Sequence, residues 1–222
     1  MEKHIVRVLE TSMITHNVKR FVLERPPGLH FESGQATELS INKPGLVDEL
    51  RPFTFTSINT QDHLEFMIKI YSHRDGVTKA LGLVEAGDQL IVHEVFGTIT
   101  YHGSGLFIAG GAGITPFISI FRDLKSKGAL AGNKLIFVNR TPSDVILKGE
   151  LEESLGDNFI SVVETPEDPG VPACFISEEI IKSYLDSDSE FCYVCGPDSF
   201  TKVVVDFLID LGVNPAHIII EQ

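Results

Sequence analysis

The stretch Leu106-Phe107-Ile108-Ala109-Gly110-Gly111-Ala112-Gly113-Ile114-Thr115-Pro116 decides the fold of this chain. An apolar run with strand character enters a cluster of glycines, and an amphipathic helical pattern then continues to Lys127. Glycines let the backbone approach a pyrophosphate, and a helix start offers unpaired N–H groups with a partial positive charge. Pro116 suits a first helical turn because no N–H is needed there. The stretch predicts a dinucleotide-binding turn; the alternative is a strand-to-helix turn that needs glycine only for its backbone conformation.

The rest of the second half repeats this succession of apolar strand and helix. Such an alternation predicts a five-stranded parallel sheet with helices on both faces, that is, an α/β domain. Ligands bind beyond the carboxyl ends of the strands in sheets of this kind. The predicted strands are 106–109, 134–138, 159–163, 191–195 and 218–220, and the predicted helices end near 127, 155, 185 and 211.

The first hundred residues have a different periodicity. Short segments that alternate, or are rich in β-branched residues, are bounded by Gly, Pro and Asn, which is typical of strands. Their regular spacing predicts a small antiparallel β-barrel. Because residues 101–105 are short and polar, we place a boundary there, with the barrel at 1–102 and the α/β domain at 103–222. The predicted strands are 6–9, 19–23, 38–41, 64–70 and 89–92.

Composition and charge exclude several classes of partner. Of 222 residues, 43% are hydrophobic and 22% charged, as in a globular protein. The net charge is −13; residues 1–102 carry 10 Lys and Arg against 13 Asp and Glu, and residues 103–222 carry 8 against 18. Nucleic acids and anionic membranes bind concentrated basic faces, so neither is expected as a partner. No apolar run approaches the roughly 20 residues of a membrane span and no signal sequence is seen, so a cytoplasmic location is expected.

No metal centre is predicted. The three cysteines, Cys174, Cys192 and Cys195, lack the spacing of a zinc site and are too few for a disulfide framework or an iron–sulfur cluster. The histidines are scattered without the spacing of metal ligands.

A second motif, Arg51-Pro52-Phe53-Thr54, lies in the barrel half. Its arginine offers a planar fork for a phosphate, Phe53 lies on the same strand face, and the Thr54 hydroxyl can bond a ring nitrogen. An ordinary edge strand, with a solvated arginine and a core phenylalanine, is the alternative.

Together the two motifs resemble the ferredoxin–NADP reductase family of flavoproteins, which includes the ferredoxin, flavodoxin and cytochrome b reductases. The resemblance spans nearly the whole chain and assigns 51–54 to FAD. It implies that Arg51, followed by Pro52, binds the pyrophosphate, that Phe53 lies against the isoalloxazine, and that Thr54 lies near its reactive nitrogen. The family usually has tyrosine at Phe53; stacking would survive this change, but a phenolic hydrogen bond would be lost.

The same resemblance implies a second flavin segment. The strand Ile68-Lys69-Ile70-Tyr71 precedes a turn, Asp75-Gly76-Val77-Thr78, that opens a short helix. By resemblance, the N–H groups of Gly76, Val77 and Thr78 and the Thr78 hydroxyl would hold the FAD pyrophosphate. A simple helix cap is the alternative.

In the second half, the resemblance assigns Gly111, Ala112, Gly113, Ile114, Thr115 and Pro116 to the NADP or NAD pyrophosphate. Cys195-Gly196-Pro197 follows the fourth parallel strand, where the family has a cysteine beside the nicotinamide. An uncharged thiol there can favour close stacking for hydride transfer; a buried structural cysteine is the alternative, and Cys192 is assigned to the core. Glu221 resembles the family's acidic residue near the flavin. The predicted catalytic residues are therefore Thr54, Cys195 and Glu221.

These motifs imply an FAD-dependent oxidoreductase that transfers hydride from NADPH or NADH to flavin. Single electrons would then pass to a separate acceptor such as flavodoxin or ferredoxin, or to a small molecule. One alternative is a flavin-binding regulatory or electron-transfer subunit without its own NAD(P)H turnover. Another is a non-redox nucleotide-binding domain fused to a β-barrel.

Charge bears on the coenzyme and on the acceptor. Arg140 follows the second parallel strand and could pair with a 2′-phosphate, which slightly favours NADPH, although Asp144 would repel that phosphate if it faced the site. Ferredoxins and flavodoxins are usually acidic, so a protein of net charge −13 gains little long-range attraction from them. A local basic rim would compensate, formed by Lys19, Arg20, Arg25, Lys69 and Arg74.

Overall fold

The computed structural model describes residues 3–71, 76–97, 99–167, 173–185 and 191–221. It contains an antiparallel sheet followed by a parallel sheet with helices, which confirms the predicted fold class. The first half consists of β1 (His4–Met13), β2 (Val18–Glu24), β3 (Ala36–Ile41), β4 (Arg51–Thr54), β5 (His63–Lys69), α1 (Val77–Leu81) and β6 (Gln89–Phe96).

The six strands of the first sheet lie in the order β4-β3-β6-β1-β2-β5. Just beyond β4, the Thr56 N–H donates to the Glu65 carbonyl oxygen of β5 at 2.8 Å. This bond joins the two outer strands, so the sheet curls into a barrel. Phenylalanine rings fill the barrel interior, where Phe31 stacks on Phe55 with 4.1 Å between ring centroids. Helix α1 buries Val77 and Leu81 in the same core.

The second half is a parallel sheet with helices, as the alternation of apolar strands and helices in the sequence predicts. Its strands are β7 (Gly105–Gly110), β8 (Lys134–Asn139), β9 (Phe159–Val163), β10 (Phe191–Cys195) and β11 (Ile218–Ile220). They are all parallel and lie in the order β11-β10-β7-β8-β9. The helices are α2 (Thr115–Ser126), α3 (Lys148–Leu155), α4 (Glu178–Tyr184) and α5 (Asp198–Asp210).

Successive side chains of each parallel strand point to opposite faces of the sheet, and a different layer of helices covers each face. Phe107 and Phe137 pack in one cluster with residues of α2 and α3. Ile108 and Ile136 pack in another cluster with residues of α4 and α5. The direction of the strand order reverses at β7, so the carboxyl ends of β7 and β10 form the switch point at which such sheets bind ligands.

The two sheets share a hydrophobic cluster. Val18, Met67 and Ile99 of the first half pack in the cluster that contains Phe117 and Phe121 of α2. Because apolar side chains from both halves are buried together, the barrel and the parallel sheet are in direct contact along α2. Whether residues 1–102 and 103–222 are separate folding units stays a prediction.

Within the part of the chain that the structure describes, no helix has the length and apolarity needed to cross a bilayer. The same residues contain no cluster of three or more His, Cys, Asp or Glu side chains suited to a metal ion.

Candidate functional site

A cleft of about 1040 Å³ lies where the barrel meets the carboxyl edge of the parallel sheet. Segments that are far apart in sequence line it, among them β4, the end of β5, the glycine turn after β7 and the end of β10. The sequence motifs of the two halves therefore meet in one cavity. The predicted residues that line it are Pro52, Phe53, Thr54, Ile68, Lys69, Tyr71, Thr78, Gly111, Ala112, Gly113, Thr115, Arg140, Cys195, Gly196, Pro197 and Glu221.

The barrel side of the cleft is formed by two sheet edges. Among the described residues, β4 pairs in a ladder only with β3 and β5 only with β2, so their facing edges carry backbone N–H and C=O groups outside any ladder. The partly buried ring of Phe53 lies beside the buried Thr54 on one edge. Lys69 ends the other edge. The polar atoms on the rim of a flat aromatic group can form hydrogen bonds with these backbone groups.

The opposite side is formed by the glycine turn. Gly111 has φ 54°, in the left-handed region, and a Cβ added there would meet no atom within 4 Å. A Cβ on Gly113 would lie 2.4 Å from the Cys195 carbonyl oxygen, so only glycine lets the turn pack against the end of β10. Pro116 lies in the first turn of α2, as predicted. The turn thus leaves an open backbone surface between two helix starts, those of α2 and α5.

Cys195 and Glu221 lie together at the end of the sheet. The Cys195 thiol donates to Glu221 Oε2 at 3.4 Å, and Cys195 is buried. Burial raises the pKa of the Cys195 thiol far above its usual value, and the neighbouring Glu221 carboxylate raises this pKa further. The thiol is therefore protonated at neutral pH and offers the cleft an uncharged sulfur atom.

Cys192 faces the other layer. It is fully buried in the cluster with residues of α4 and α5, and burial raises its pKa to about 12. Cys192 is thus a core residue of the sheet, whereas Cys195 lines the cleft.

Asn139, at the end of β8, also lines the cleft. It is 4% exposed, and its Oδ1 and Nδ2 atoms have no hydrogen-bond partner among the described residues. A buried amide without a partner costs about 1–3 kcal/mol, so such groups in native proteins indicate a ligand, an ordered water or a stored strain.

Two family models match the two halves of the chain. The oxidoreductase FAD-binding domain matches residues 5–101, and the oxidoreductase NAD-binding domain matches residues 107–206. NADH-cytochrome b5 reductase 1 of Bos taurus is 27% identical over 96% of this chain and 84% of that protein.

The chain belongs to the ferredoxin–NADP reductase superfamily.

Solved structures of this superfamily share the fold. The cytochrome b5 reductase domain of Ulva prolifera nitrate reductase has a TM-score of 0.80 at 22% identity, over 98% of this chain and 96% of that one. A ferredoxin NADP+ reductase from Neisseria gonorrhoeae with bound FAD and NADP has a TM-score of 0.81 at 19% identity, over 96% and 92%. The predicted family, the FAD and NAD or NADP cofactors and the class of NAD(P)H-dependent flavoprotein reductase are confirmed.

The residues of the cleft fit both cofactors of a ferredoxin–NADP reductase. The facing edges of β4 and β5, with Phe53 and Thr54, suit a flavin ring. The open Gly111 backbone suits a pyrophosphate, and the unpartnered Asn139 amide suits a dinucleotide at the end of β8. FAD would supply the redox chemistry when bound, and the residues of the cleft would supply binding and alignment.

Some predicted cofactor residues do not line the cleft. Val77 and Ile114 are buried in hydrophobic cores, Pro116 is buried in α2, and Ile70 packs against the barrel core, so these four could contact a cofactor only through their backbone. Gly76 precedes α1. The exposed side chain of Arg51 approaches Glu49 at 3.8 Å instead of the cleft. Asp75 lies outside the described residues. The cofactor roles predicted for 51–54, 68–71, 76–78, 111–116, 140 and 195–197, and the catalytic roles of Thr54, Cys195 and Glu221, stay predictions.

Other cleft residues were missed by sequence reasoning. His16 and Asn17, in the turn between β1 and β2, and Glu164 and Thr165, just after β9, line the cleft. The positions after β9 could have been found from the rule that parallel sheets bind ligands at their carboxyl ends. The β1–β2 turn carried no such signal, because only the tertiary fold brings it to the cleft.

The expected basic rim is wrong for three of its members. Lys19 is 6% exposed and donates to the carbonyl oxygens of Gly82 and Val84. Arg20 pairs with Glu10 and Glu65, and Arg25 donates to oxygens of the 59–61 loop. Lys69 does line the cleft, and Arg74 lies outside the described residues.

Proposed function

We propose that this chain oxidises NADH and passes the electrons one at a time to a separate acceptor, a small haem protein of the cytochrome b5 class. The observation that carries the proposal is that one cleft is lined by Phe53 and Thr54 of the barrel and by Cys195 and Glu221 at the carboxyl ends of β10 and β11. A flavin ring against the first pair and a nicotinamide ring against the second would lie within one cavity.

The side chains of the cleft would act by positioning. Thr54 is buried at the edge of β4, where its hydroxyl would bond a flavin ring nitrogen. The protonated Cys195 thiol, held by Glu221, would let the nicotinamide approach without favouring one charge state. Alignment of two bound rings can supply several kcal/mol of the barrier, because it replaces a bimolecular encounter.

NADH is proposed as the donor because carboxylates predominate where the adenosine ribose would lie. Among the described residues, Asp144 and Glu164 line this end of the cleft together with one cation of fixed charge, Arg140. An added 2′-phosphate would meet two carboxylates, whereas a free ribose hydroxyl can donate a hydrogen bond to either of them. The NADH-cytochrome b5 reductases of Bos taurus and Homo sapiens, 27% identical to this chain, support the same choice.

The proposed acceptor follows from the relatives, and the charge of the chain counts only against an acidic ferredoxin or flavodoxin. The curated relatives named above are cytochrome b5 reductases, whereas the ferredoxin reductase from Neisseria gonorrhoeae, at 19% identity, supports the fold alone. The net charge of −13 gives no long-range attraction to acidic ferredoxins or flavodoxins. A cytoplasmic location stays a prediction.

Rapid anaerobic mixing of the FAD-loaded protein with NADH, and separately with NADPH, tests the donor. We expect NADH to bleach the flavin absorbance with a second-order rate constant about tenfold or more above that of NADPH. If neither donor bleaches bound flavin, the chain is a flavin-binding regulatory or electron-transfer subunit. A protein that binds no flavin would contradict the redox proposal altogether.

Paired cysteine variants test the site. C195A should lower the limiting rate of flavin reduction by about tenfold to a hundredfold, because the nicotinamide loses the thiol that positions it. C192A is the matched control, since Cys192 lies on the same strand and faces the other layer. Steady-state assays with cytochrome b5, a ferredoxin and a flavodoxin then rank the acceptors, with ferricyanide as the unselective acceptor.

A further inference from the structure

Helix α2 carries the dinucleotide turn at its start and contacts the barrel one turn later. Ser119 is fully buried, and its hydroxyl oxygen accepts a hydrogen bond from the Gly34 N–H of the barrel at 2.9 Å. Phe117, Ile120 and Phe121 bury their side chains in the cluster shared by the two halves. A displacement of α2 relative to the barrel would therefore displace the glycine turn relative to β4 and β5, which we call the flavin strands because their edges are proposed to bind the flavin.

Arg122 extends from α2 into both halves. Its Nη1 atom donates to the Thr56 carbonyl oxygen at 2.8 Å and to Glu65 Oε1 at 2.6 Å, and both acceptors belong to the barrel. Its Nε and Nη2 atoms donate to the two carboxylate oxygens of Glu150 on α3, at 2.6 and 2.8 Å. One guanidinium thus joins the barrel to two helices of the parallel-sheet half.

Glu65 is the barrel's partner in this network. It is 4% exposed, and its carboxylate accepts hydrogen bonds from Thr56 Oγ1 at 2.8 Å and from Arg20 Nε at 2.6 Å, besides the one from Arg122. Burial raises the pKa of Glu65, but the positive charge of Arg122 and the hydrogen bonds from Arg122, Arg20 and Thr56 outweigh it and hold this pKa below its usual value. A carboxylate buried to this extent is stable only with its partners in place, so the network is sensitive to the loss of any one of them.

The network of Arg122 and Glu65 lies where the end of β4 meets β5. Thr56 lies two residues after Thr54, and Glu65 lies four residues before Lys69; both Thr54 and Lys69 line the cleft. The Thr56 N–H also donates to the Glu65 carbonyl oxygen, which joins the two outer strands of the barrel. Arg122 therefore holds the two flavin strands at the same place where it holds α2.

We propose that Arg122 is a positioning residue for hydride transfer, which fixes the dinucleotide turn at its working distance from the flavin strands. The inference rests on the proposed function, because it concerns the transfer between two bound rings. A misplacement of about 1 Å at the reacting atoms lowers a rate by about a hundredfold. The hydrogen bonds of Arg122 to Thr56, Glu65 and Glu150 couple the two halves and would limit such a displacement.

The test uses the FAD-loaded protein with R122M and R122K. In R122M we expect the limiting rate of flavin reduction by NADH to fall about tenfold or more, while FAD content and the dissociation constant of NAD+ change by less than about threefold. The long-wavelength charge-transfer absorbance of the nicotinamide–flavin complex should weaken in parallel, because it reports stacking of the rings. R122K keeps the positive charge but loses the planar guanidinium that donates to both Glu65 and Glu150. It should therefore recover only part of the limiting rate of flavin reduction.

K125M is the matched control. Lys125 lies on the same helix and pairs with Glu153 of α3 at 3.0 Å on the exposed surface; it forms no hydrogen bond or ion pair with the barrel residues that the structure describes. We expect K125M to keep the limiting rate within about twofold. If R122M binds FAD and is reduced at the wild-type rate, or if K125M slows reduction equally, the inference is overturned.

Two further results separate the possible failures. Should R122M fail to fold, E65Q is the second variant, because it removes the negative charge that pairs with Arg122 and changes the shape of the side chain little. E65Q must show the same fall in the limiting rate of flavin reduction, with an unchanged dissociation constant of NAD+. An E65Q protein reduced at the wild-type rate would overturn the inference. Failure of NADH to reduce the wild-type protein would instead refute the proposed function, before any variant is compared.

Discussion

The two thiols of β10 give the protein's stability a defined pH dependence. Burial raises the pKa of Cys192 to about 12 and that of Cys195 above its usual range. In the unfolded chain both thiols ionise near about 8.5, so above that pH the unfolded state loses protons that the folded state keeps. The free energy of unfolding should therefore be unaffected by these thiols below about pH 8 and fall as pH rises beyond it.

Urea unfolding under reducing conditions checks this prediction. Between about pH 9 and 10, each thiol should lower the free energy of unfolding by up to about 1.4 kcal/mol per pH unit. C192A should remove about half of this slope, and the double variant C192A/C195A should remove both contributions. A slope that is the same in the wild type and the double variant would contradict it.

At the scale of residues, the sequence predicted those parts of the cleft in which the local backbone conformation requires a particular residue. The glycine turn needs Gly111 for its conformation and Gly113 for contact with β10, and both needs are visible as glycines after a strand. Cys195 was separable from Cys192 because strand residues three apart face opposite sides. His16 was not found, because the β1–β2 turn joins the cleft only through the packing of distant segments, whereas Glu164 lies at the carboxyl end of β9, where the rule for parallel sheets predicts ligand contacts.

At the scale of elements, Lys19 connects β2 to the short helix α1. Its ammonium group donates to the carbonyl oxygens of Gly82, at 3.1 Å, and Val84, at 2.6 Å, just after the helix. K19M would leave both carbonyl groups without this donor, so we expect the free energy of unfolding to fall by roughly 1–3 kcal/mol. FAD should also dissociate faster, because the start of α1 is predicted to hold its pyrophosphate.

Thermal or urea unfolding of the apoprotein and release of FAD from the loaded protein measure the two effects. K43M is the control, since Lys43 forms an exposed pair with Asp88 at 3.0 Å and should contribute less than about 1 kcal/mol. Equal stability of K19M and K43M would show that the buried ammonium group has no special role.

Lys19 also shows why the position of a strand was easier to predict than the direction in which one of its side chains points. The strand 19–23 was predicted from its β-rich composition, and the structure has β2 at Val18–Glu24. However, Val18, Lys19, Phe21, Val22 and Leu23 are all buried, so this strand has no polar face from which the direction of a lysine could be read. The amine became an internal donor because carbonyl groups beyond α1 reach it, and those contacts exist only in the folded protein.

At the scale of the whole molecule, net charge and local charge make opposite predictions about the acceptor. A basic rim would attract an acidic protein, whereas the net charge of −13 repels it. Three of the expected rim cations are held by internal oxygens or carboxylates: Lys19, Arg20 and Arg25. Since paired cations contribute little to the field at a distance, repulsion should dominate the approach of an acidic acceptor.

The rate of reduction of an acidic ferredoxin or flavodoxin should therefore rise with salt. Between about 0.01 and 0.15 M NaCl the screening length falls from about 30 to 8 Å, which weakens repulsion between like-charged proteins. Measuring kcat/KM for such an acceptor across this range, with an uncharged quinone as the control, gives the sign directly. A rate that falls with salt, while the quinone rate stays constant, would mean that cations near Lys69 and Arg140 form an attractive patch strong enough to outweigh the net charge.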